Sequence, residues 1–196
     1  MFDWRMAVVA GAAALSVGVA EAAYIADTGP GQAGGTSLAL DSLGVSYQHL
    51  GATFNVAQDS SLTSVEGWIG GTGSLLFELH QGATPNGALL YSSLVNVTNG
   101  ADDWRGDTGL AWGVLAGDYS LAVVAQPGFN GQMLISPPNP LATNWFANPL
   151  TPNWATTTFS MGWRVGAVTV PEPDSAALVA LGLAALGARA SRRRQA

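Results

Sequence analysis

The sequence predicts an all-β domain, an antiparallel β-sandwich with jelly-roll-like connections, and three observations carry that expectation. Apolar residues recur at every second position in several short stretches, the period of a strand with one buried face. Turn signals rich in Gly, Pro, Asn and Asp separate those stretches. Between residues 23 and 169 no stretch keeps a convincing helical period. About seven or eight short strands spaced by turns is the pattern of a sandwich. Residues 1–22 and 170–196 flank this domain and differ from it in composition.

Taken in order, Met1–Ala22 has the build of a secretory signal peptide. Arg5 supplies a positive start, Met6–Ala20 an apolar run, and Ala20-Glu21-Ala22 a small-residue cleavage site. Passage through the secretory translocon follows. Ala23–Tyr47, rich in Gly, Ser and Thr, reads as an irregular stretch with one edge strand. From Gln48 the period becomes two, with Leu50, Ala52, Phe54 and Val56 on one face. Leu62–Ile69 and Ser74–Gln81 read as a hairpin around Gly70-Gly71-Thr72-Gly73. Thr84-Pro85-Asn86-Gly87 is a turn before a strand through Leu89–Val97. Alternation resumes at Leu110, Trp112 and Val114, and Ala116-Gly117-Asp118 turns into Tyr119–Ala125. Gln126–Asn153, with Pro137-Pro138-Asn139-Pro140 at its centre, loses all period and reads as a long loop. The last strand places Phe159, Met161, Trp163, Val165 and Ala167 on one face.

Composition narrows the chemistry. The 196 residues include no cysteine and no lysine, which excludes disulfides, thiolate metal sites and a cysteine nucleophile. Burial must hold the fold, and roughly 145 residues are ample for one core. Residues 23–169 carry 9 acidic residues and 2 arginines. A net charge near −7 repels phosphate backbones, so nucleic acid is not an expected partner. No nucleophile elbow, H-E-x-x-H helix or phosphate loop is present. His49 and His80 stand apart without an acid motif and read as ordinary strand residues.

Three side-chain groups remain as candidates. Asp102, Asp103 and Asp107 offer oxygen ligands of the type that Ca²⁺ takes, without the spacing of an EF-hand; no other cofactor is expected. Glu66 and Glu78, with Trp68 and His80, fall on one sheet face in the expected hairpin, and paired carboxylates are the raw material of glycoside hydrolysis. Trp112 and Trp163 sit on apolar faces and belong to the core. Trp104, Trp145 and Trp154 lie beside Asp, Asn, Thr and Pro, as loop aromatics that stack on sugar rings or fold back as lids.

The C-terminus is the most specific part of the chain. Pro171-Glu172-Pro173 holds the backbone extended, since each proline fixes φ and restrains its predecessor. An Ala/Leu/Val/Gly run, Ser175–Ala188, follows, and Arg189, Arg192, Arg193 and Arg194 form a basic end of the kind retained in the cytoplasm. As a helix, Ala176–Ala188 reaches only about 20 Å at ~1.5 Å per residue, short of a ~30 Å hydrocarbon core. It suits a weak, transient transmembrane anchor.

This order closely resembles the PEP-CTERM sorting signal of exosortase substrates. Gln48–Phe54, Ser64-Val65-Glu66-Gly67-Trp68-Ile69-Gly70, Thr84-Pro85-Asn86-Gly87 and Leu115-Ala116-Gly117-Asp118-Tyr119 also resemble a group of exported PEP-CTERM proteins. The resemblance implies processing by an exosortase-type enzyme, transient inner-membrane anchoring, and residence at the cell surface or in the extracellular matrix. The expected function is that of a non-enzymatic structural or adhesive protein in contact with exopolysaccharide. The alternative is a secreted carbohydrate-active hydrolase using Glu66 and Glu78.

Overall fold

A computed structural model describes residues 22–32, 37–43 and 46–170. Apart from Ala22 and Val170, the expected signal peptide and C-terminal sorting segment lie outside the described residues. The strands are β1 (Ala23–Asp27), β2 (Ser37–Leu43), β3 (Ser46–Val56), β4 (Ser60–Gln81), β5 (Leu89–Val97) and β6 (Asp103–Asp107). They continue with β7 (Trp112–Val114), β8 (Gly117–Ala125), β9 (Asn130–Leu134), β10 (Asn144–Asn148), β11 (Thr151–Thr157) and β12 (Trp163–Thr169). Every pairing is antiparallel. The all-β antiparallel class is as expected. The strands join, however, into one continuous 12-stranded sheet, strongly curled into a half-barrel.

β4 is the spine of that sheet, and here the expected hairpin is corrected. Leu62–Ile69 and Ser74–Gln81 are two parts of one 22-residue strand. β12 and β7 flank its start, β9 and β6 its middle, and β8 and β5 its end. Gly70–Gly73 is the bend between them. Gly71 and Gly73 have φ of 142° and 118°, values open to glycine and strained for any L-residue. A Cβ on Gly71 would stand 2.6 Å from the Asn130 carbonyl oxygen, and one on Gly73 2.8 Å from Phe129 Cα. The glycines therefore let β4 turn across the sheet while β9 passes against its backbone.

The curl brings two inner faces together. Leu62, Val65, Ile69, Trp163 and Val165 from one half join one core with Leu50, Phe54, Leu75, Phe77, Leu79, Leu121 and Val123 from the other. The alternation read in β3 and β4 is the observed one. Phe129 and Met133, inside the stretch expected to be a loop, are fully buried at the bend. That stretch is corrected too: 126–153 holds β9, β10 and the start of β11. Five-residue strands place only two or three side chains inward, too few to leave a period. Phe159 precedes β12 and is 46% exposed, so the buried face of the last strand begins at Met161, which bridges to Ile135.

Two sequence motifs close the ends of the curl. At Leu115–Tyr119, the Tyr119 hydroxyl donates to the Leu115 carbonyl at 3.0 Å, a tyrosine corner, and Asn55 Nδ2 donates to Asp118 Oδ1 at 2.7 Å. At Thr84–Gly87, the Gly87 N–H returns to the Thr84 carbonyl at 2.9 Å, and buried Pro85 lies over Gly51 of β3. On the side of β5, stacked Tyr91 and Trp112 (5.4 Å between centroids) join the two halves, as does the Ser93–Asp107 hydrogen bond at 2.5 Å.

Trp163, at 0% exposure, tests this packing. Trp163→Ala is expected to cost about 3–5 kcal/mol in denaturant unfolding, the range for a large buried aromatic. A loss below about 1 kcal/mol would place the indole at the surface.

Candidate functional site

Because the inner faces share a core, the polar chemistry sits on the outer faces of the two halves. On the first half, register aligns Asp27, Arg164 and Glu66 across β1, β12 and β4. Trp68 and Trp104 pair alongside on β4 and β6. Arg164 Nε donates to Asp27 Oδ1 at 3.1 Å. Its guanidinium lies 4.0 Å from the Trp104 ring centroid and 5.2 Å from that of Tyr24. Trp68 meets Trp104 edge-on at 5.4 Å. Trp104 is thus a strand residue, not the loop aromatic expected, with one face under a cation and an edge-to-face neighbour. Burial pushes the Glu66 carboxyl above the usual carboxylate range; Arg164 pulls it down, and Asp103 and Asp27 push it up.

On the second half, His80 bridges two elements. Its Nδ1 lies 3.1 Å from the Gly87 carbonyl and its Nε2 3.2 Å from Glu78 Oε2. Burial alone would lower the imidazole, but the hydrogen bonds to Glu78 and Gly87 and the Glu78 charge outweigh it and hold it raised. The 82–88 turn is tied down further by Ser120 Oγ donating to the Gly82 carbonyl and Thr53 Oγ1 to that of Ala83. Trp145, on β10, donates from Nε1 to Thr53 Oγ1 at 2.9 Å. Trp154, on β11, stands 6.4 Å from the His49 ring, and its carbonyl accepts from Asn86 Nδ2. His49 Nδ1 accepts from the Ala125 N–H. Trp145 and Trp154 are therefore part-buried strand residues on one outer face, not tips of a long loop.

The candidate carboxylate pair is not assembled. Glu66 and Glu78 lie twelve residues apart on one strand, on the order of 40 Å of backbone path at ~3.3 Å per residue. The Gly70–Gly73 bend of β4 lies between them. Glycoside hydrolysis needs its two carboxylates within roughly 5–9.5 Å.

The aspartates are not assembled either. Asp102 Oδ1 accepts from Gln132 Nε2 at 3.3 Å, and Asp103 pairs with Arg105 at 3.8 Å. Asp107 accepts from the Gly109 N–H and Ser93 Oγ. Asp103 and Asp107 sit at the two ends of β6, about 13 Å apart by strand rise, whereas one Ca²⁺ takes its oxygens at about 2.3–2.6 Å. Among the described residues no group of three ionisable ligands could hold a metal ion.

The described residues form depressions as well, two of them of similar size. One, of about 190 Å³, is lined by Gln48, Phe146, Asn148, Thr157 and Phe159. The other, of about 200 Å³ at the bend, is lined by Gly70, Gly71, Gly100, Asn130, Gly131 and Gln132. Neither lining includes an ionisable side chain. No spacing along the chain signals either, since their walls come from segments far apart in sequence.

The two raised groups have a signed consequence. A group whose pKa is higher in the folded state adds stability below its unfolded pKa and loses it as pH rises through the folded one. Glu66→Gln is therefore expected to raise the thermal midpoint at pH 7, with the gain vanishing below about pH 4. His80→Asn is expected to cost most below about pH 6.5 and progressively less as pH rises through the folded pKa. Thermal melts of the three proteins across this range check both; a Glu66→Gln gain independent of pH would contradict the burial of that carboxyl.

No curated protein matches the chain. Residues 169–194 match the PEP-CTERM protein-sorting motif. Val170, at the start of that match, follows directly on β12, and its N–H donates to the Asp59 carbonyl at 2.9 Å. The chain carries a PEP-CTERM protein-sorting motif at its C-terminus, which implies an exported protein processed by an exosortase and sorted to the cell surface.

Proposed function

We propose that the domain at 23–169 is a non-catalytic structural and adhesive unit of the cell surface or extracellular matrix, released from transient inner-membrane anchoring by exosortase processing. One observation carries this reading beyond the sorting motif. Several polar and aromatic side chains of the outer faces are engaged within the fold: Glu78 with His80, Arg164 with Asp27 and Trp104, Trp145 with Thr53. They brace the outer faces of a disulfide-free sheet. Hydrolysis by Glu66 and Glu78 would require two carboxylates that β4 carries apart.

Exopolysaccharide contact, in this reading, falls to Trp145 and Trp154. They share an outer face and are part-exposed, whereas the Trp104 ring is covered by Arg164. Both are held before any ligand arrives, which lowers the ordering cost of binding. Each contact is weak, at about micromolar to millimolar affinity, and many copies on one polymer supply the avidity.

Two experiments test these statements. Replacing Pro171, Glu172 and Pro173 by alanine should leave the full-length chain in the inner membrane. The native sequence should yield surface or matrix material lacking Leu178–Ala196 by intact mass; finding the arginine tail on that material would refute processing. Separately, Trp145→Ala/Trp154→Ala should reduce retention on exopolysaccharide from the producing cells. Equal retention by folded wild type and variant would leave the domain purely structural.

A further inference from the structure

We propose that the free edge of β5 is a self-association site, through which two copies of this chain pair β5 with β5 antiparallel and continue the sheet across a two-fold axis. This deepens the structural reading above by naming the partner, and rests on that reading only for its setting.

The argument starts from the strand. Among the described strands β5 pairs with β4 alone, so its other edge presents backbone N–H and C=O groups with no strand beside them. Proteins ordinarily blunt such an edge by shortening it, by charge or by proline. Here the nine residues Leu89–Val97 contain no charge, no proline and no glycine. The ladder irregularity falls at Leu90, which has no residue opposite it on β4 between the Tyr91 and Leu89 pairings, and it leaves Tyr91–Val97 regular. The outer face of the strand exposes leucine: Leu90 is 40% and Leu94 60% exposed. Its inner face is already used, since Tyr91 stacks on Trp112 and Ser93 bonds Asp107. An uncharged edge with one apolar face selects another strand of the same kind.

Register makes a second copy fit. In an antiparallel pair, residues opposite each other share a face, and a one-residue slip puts mismatched faces together. A two-fold axis at Ser92 sets Leu90 of each copy opposite Leu94 of the other, with Cβ atoms about 4.5–5.5 Å apart. Axes at Tyr91 or Ser93 set leucine against serine or asparagine, and an axis at Leu94 leaves Leu90 without a partner. The ionisable groups facing this stretch from β4 are Glu78, opposite Ser92, and His80, opposite Leu89. In the pair, the two Glu78 residues would stand three strand spacings apart, about 14 Å, beyond the ~8 Å Debye length at physiological salt. Each also keeps its own His80. The remaining surface is acidic, so this neutral edge is where copies meet with least repulsion. The interface is small, which makes the pair weak and concentration-dependent.

The absence of native cysteine gives a direct test in the full-length chain, held in detergent micelles. Ser92→Cys places the new thiols on the axis, at a Cα separation of about 4.5–5.5 Å that a disulfide accepts. Mild oxidation should give a several-fold higher dimer yield than Leu150→Cys, an exposed control at 94% that reports association through other segments. Mixing Leu90→Cys with Leu94→Cys should give the mixed dimer in excess over either alone. Adding Leu90→Lys/Leu94→Lys to Ser92→Cys should abolish the crosslink while the β-type circular dichroism persists. Equal yields from Ser92→Cys and Leu150→Cys, or a crosslink that survives the two lysines, would overturn the proposal. Surface delivery is not read in this assay, so its failure leaves the sorting and structural reading standing, and failed delivery leaves this result intact.

Discussion

The close passage of β9 against the glycine segment of β4 is the constraint on which the rest of the architecture depends. A 22-residue strand that stayed straight would carry its apolar face over too long a span for one core to cover. At Gly71 and Gly73 the chain adopts positive φ values that favour glycine, and Gly131 of β9 comes up against the Gly70 carbonyl. Phe129 fills the inside of the bend and is fully buried. Once β4 turns, Leu75, Phe77 and Leu79 face the same interior as Leu62, Val65 and Ile69. One sheet then closes over its own core without a disulfide. The pairs at the margin, Tyr91 on Trp112 and Ser93 on Asp107, fasten what the bend brings together.

That constraint also explains which parts of the fold are legible in the sequence. Alternation is a local property, so the faces of β3, β4 and the body of β12 could be read directly. The Gly70–Gly73 segment could not. Glycines with positive φ serve a hairpin turn and a strand bend equally, and the choice is made by Gly131, sixty residues further on. The strands within 126–153 escaped for a related reason. They are five residues long, and pairing with β2, β3 and β4 defines them rather than their own composition.

The candidate sites follow the same logic. Placing Glu66 and Glu78 side by side on one sheet face needed the hairpin, which β4 replaces with a single bent strand, although both do point outward as the alternation predicts. Trp145 was legible as an aromatic among polar neighbours, but its partner, Thr53, lies 92 residues away. The Arg164–Trp104–Tyr24 arrangement draws on β12, β6 and β1, and no spacing along the chain announces it. The sorting motif is the opposite case. It is recognised as a linear string, so sequence alone carries it.

Fold and address meet at a narrow boundary in this chain. The last inward residue of β12 is Ala167, and the pairing of β12 with β4 ends at Thr169 opposite Ser60. The Pro-Glu-Pro triplet starts two residues later, beyond the Val170 hydrogen bond to Asp59. Among the described residues, every core side chain and every strand pair therefore precedes the triplet.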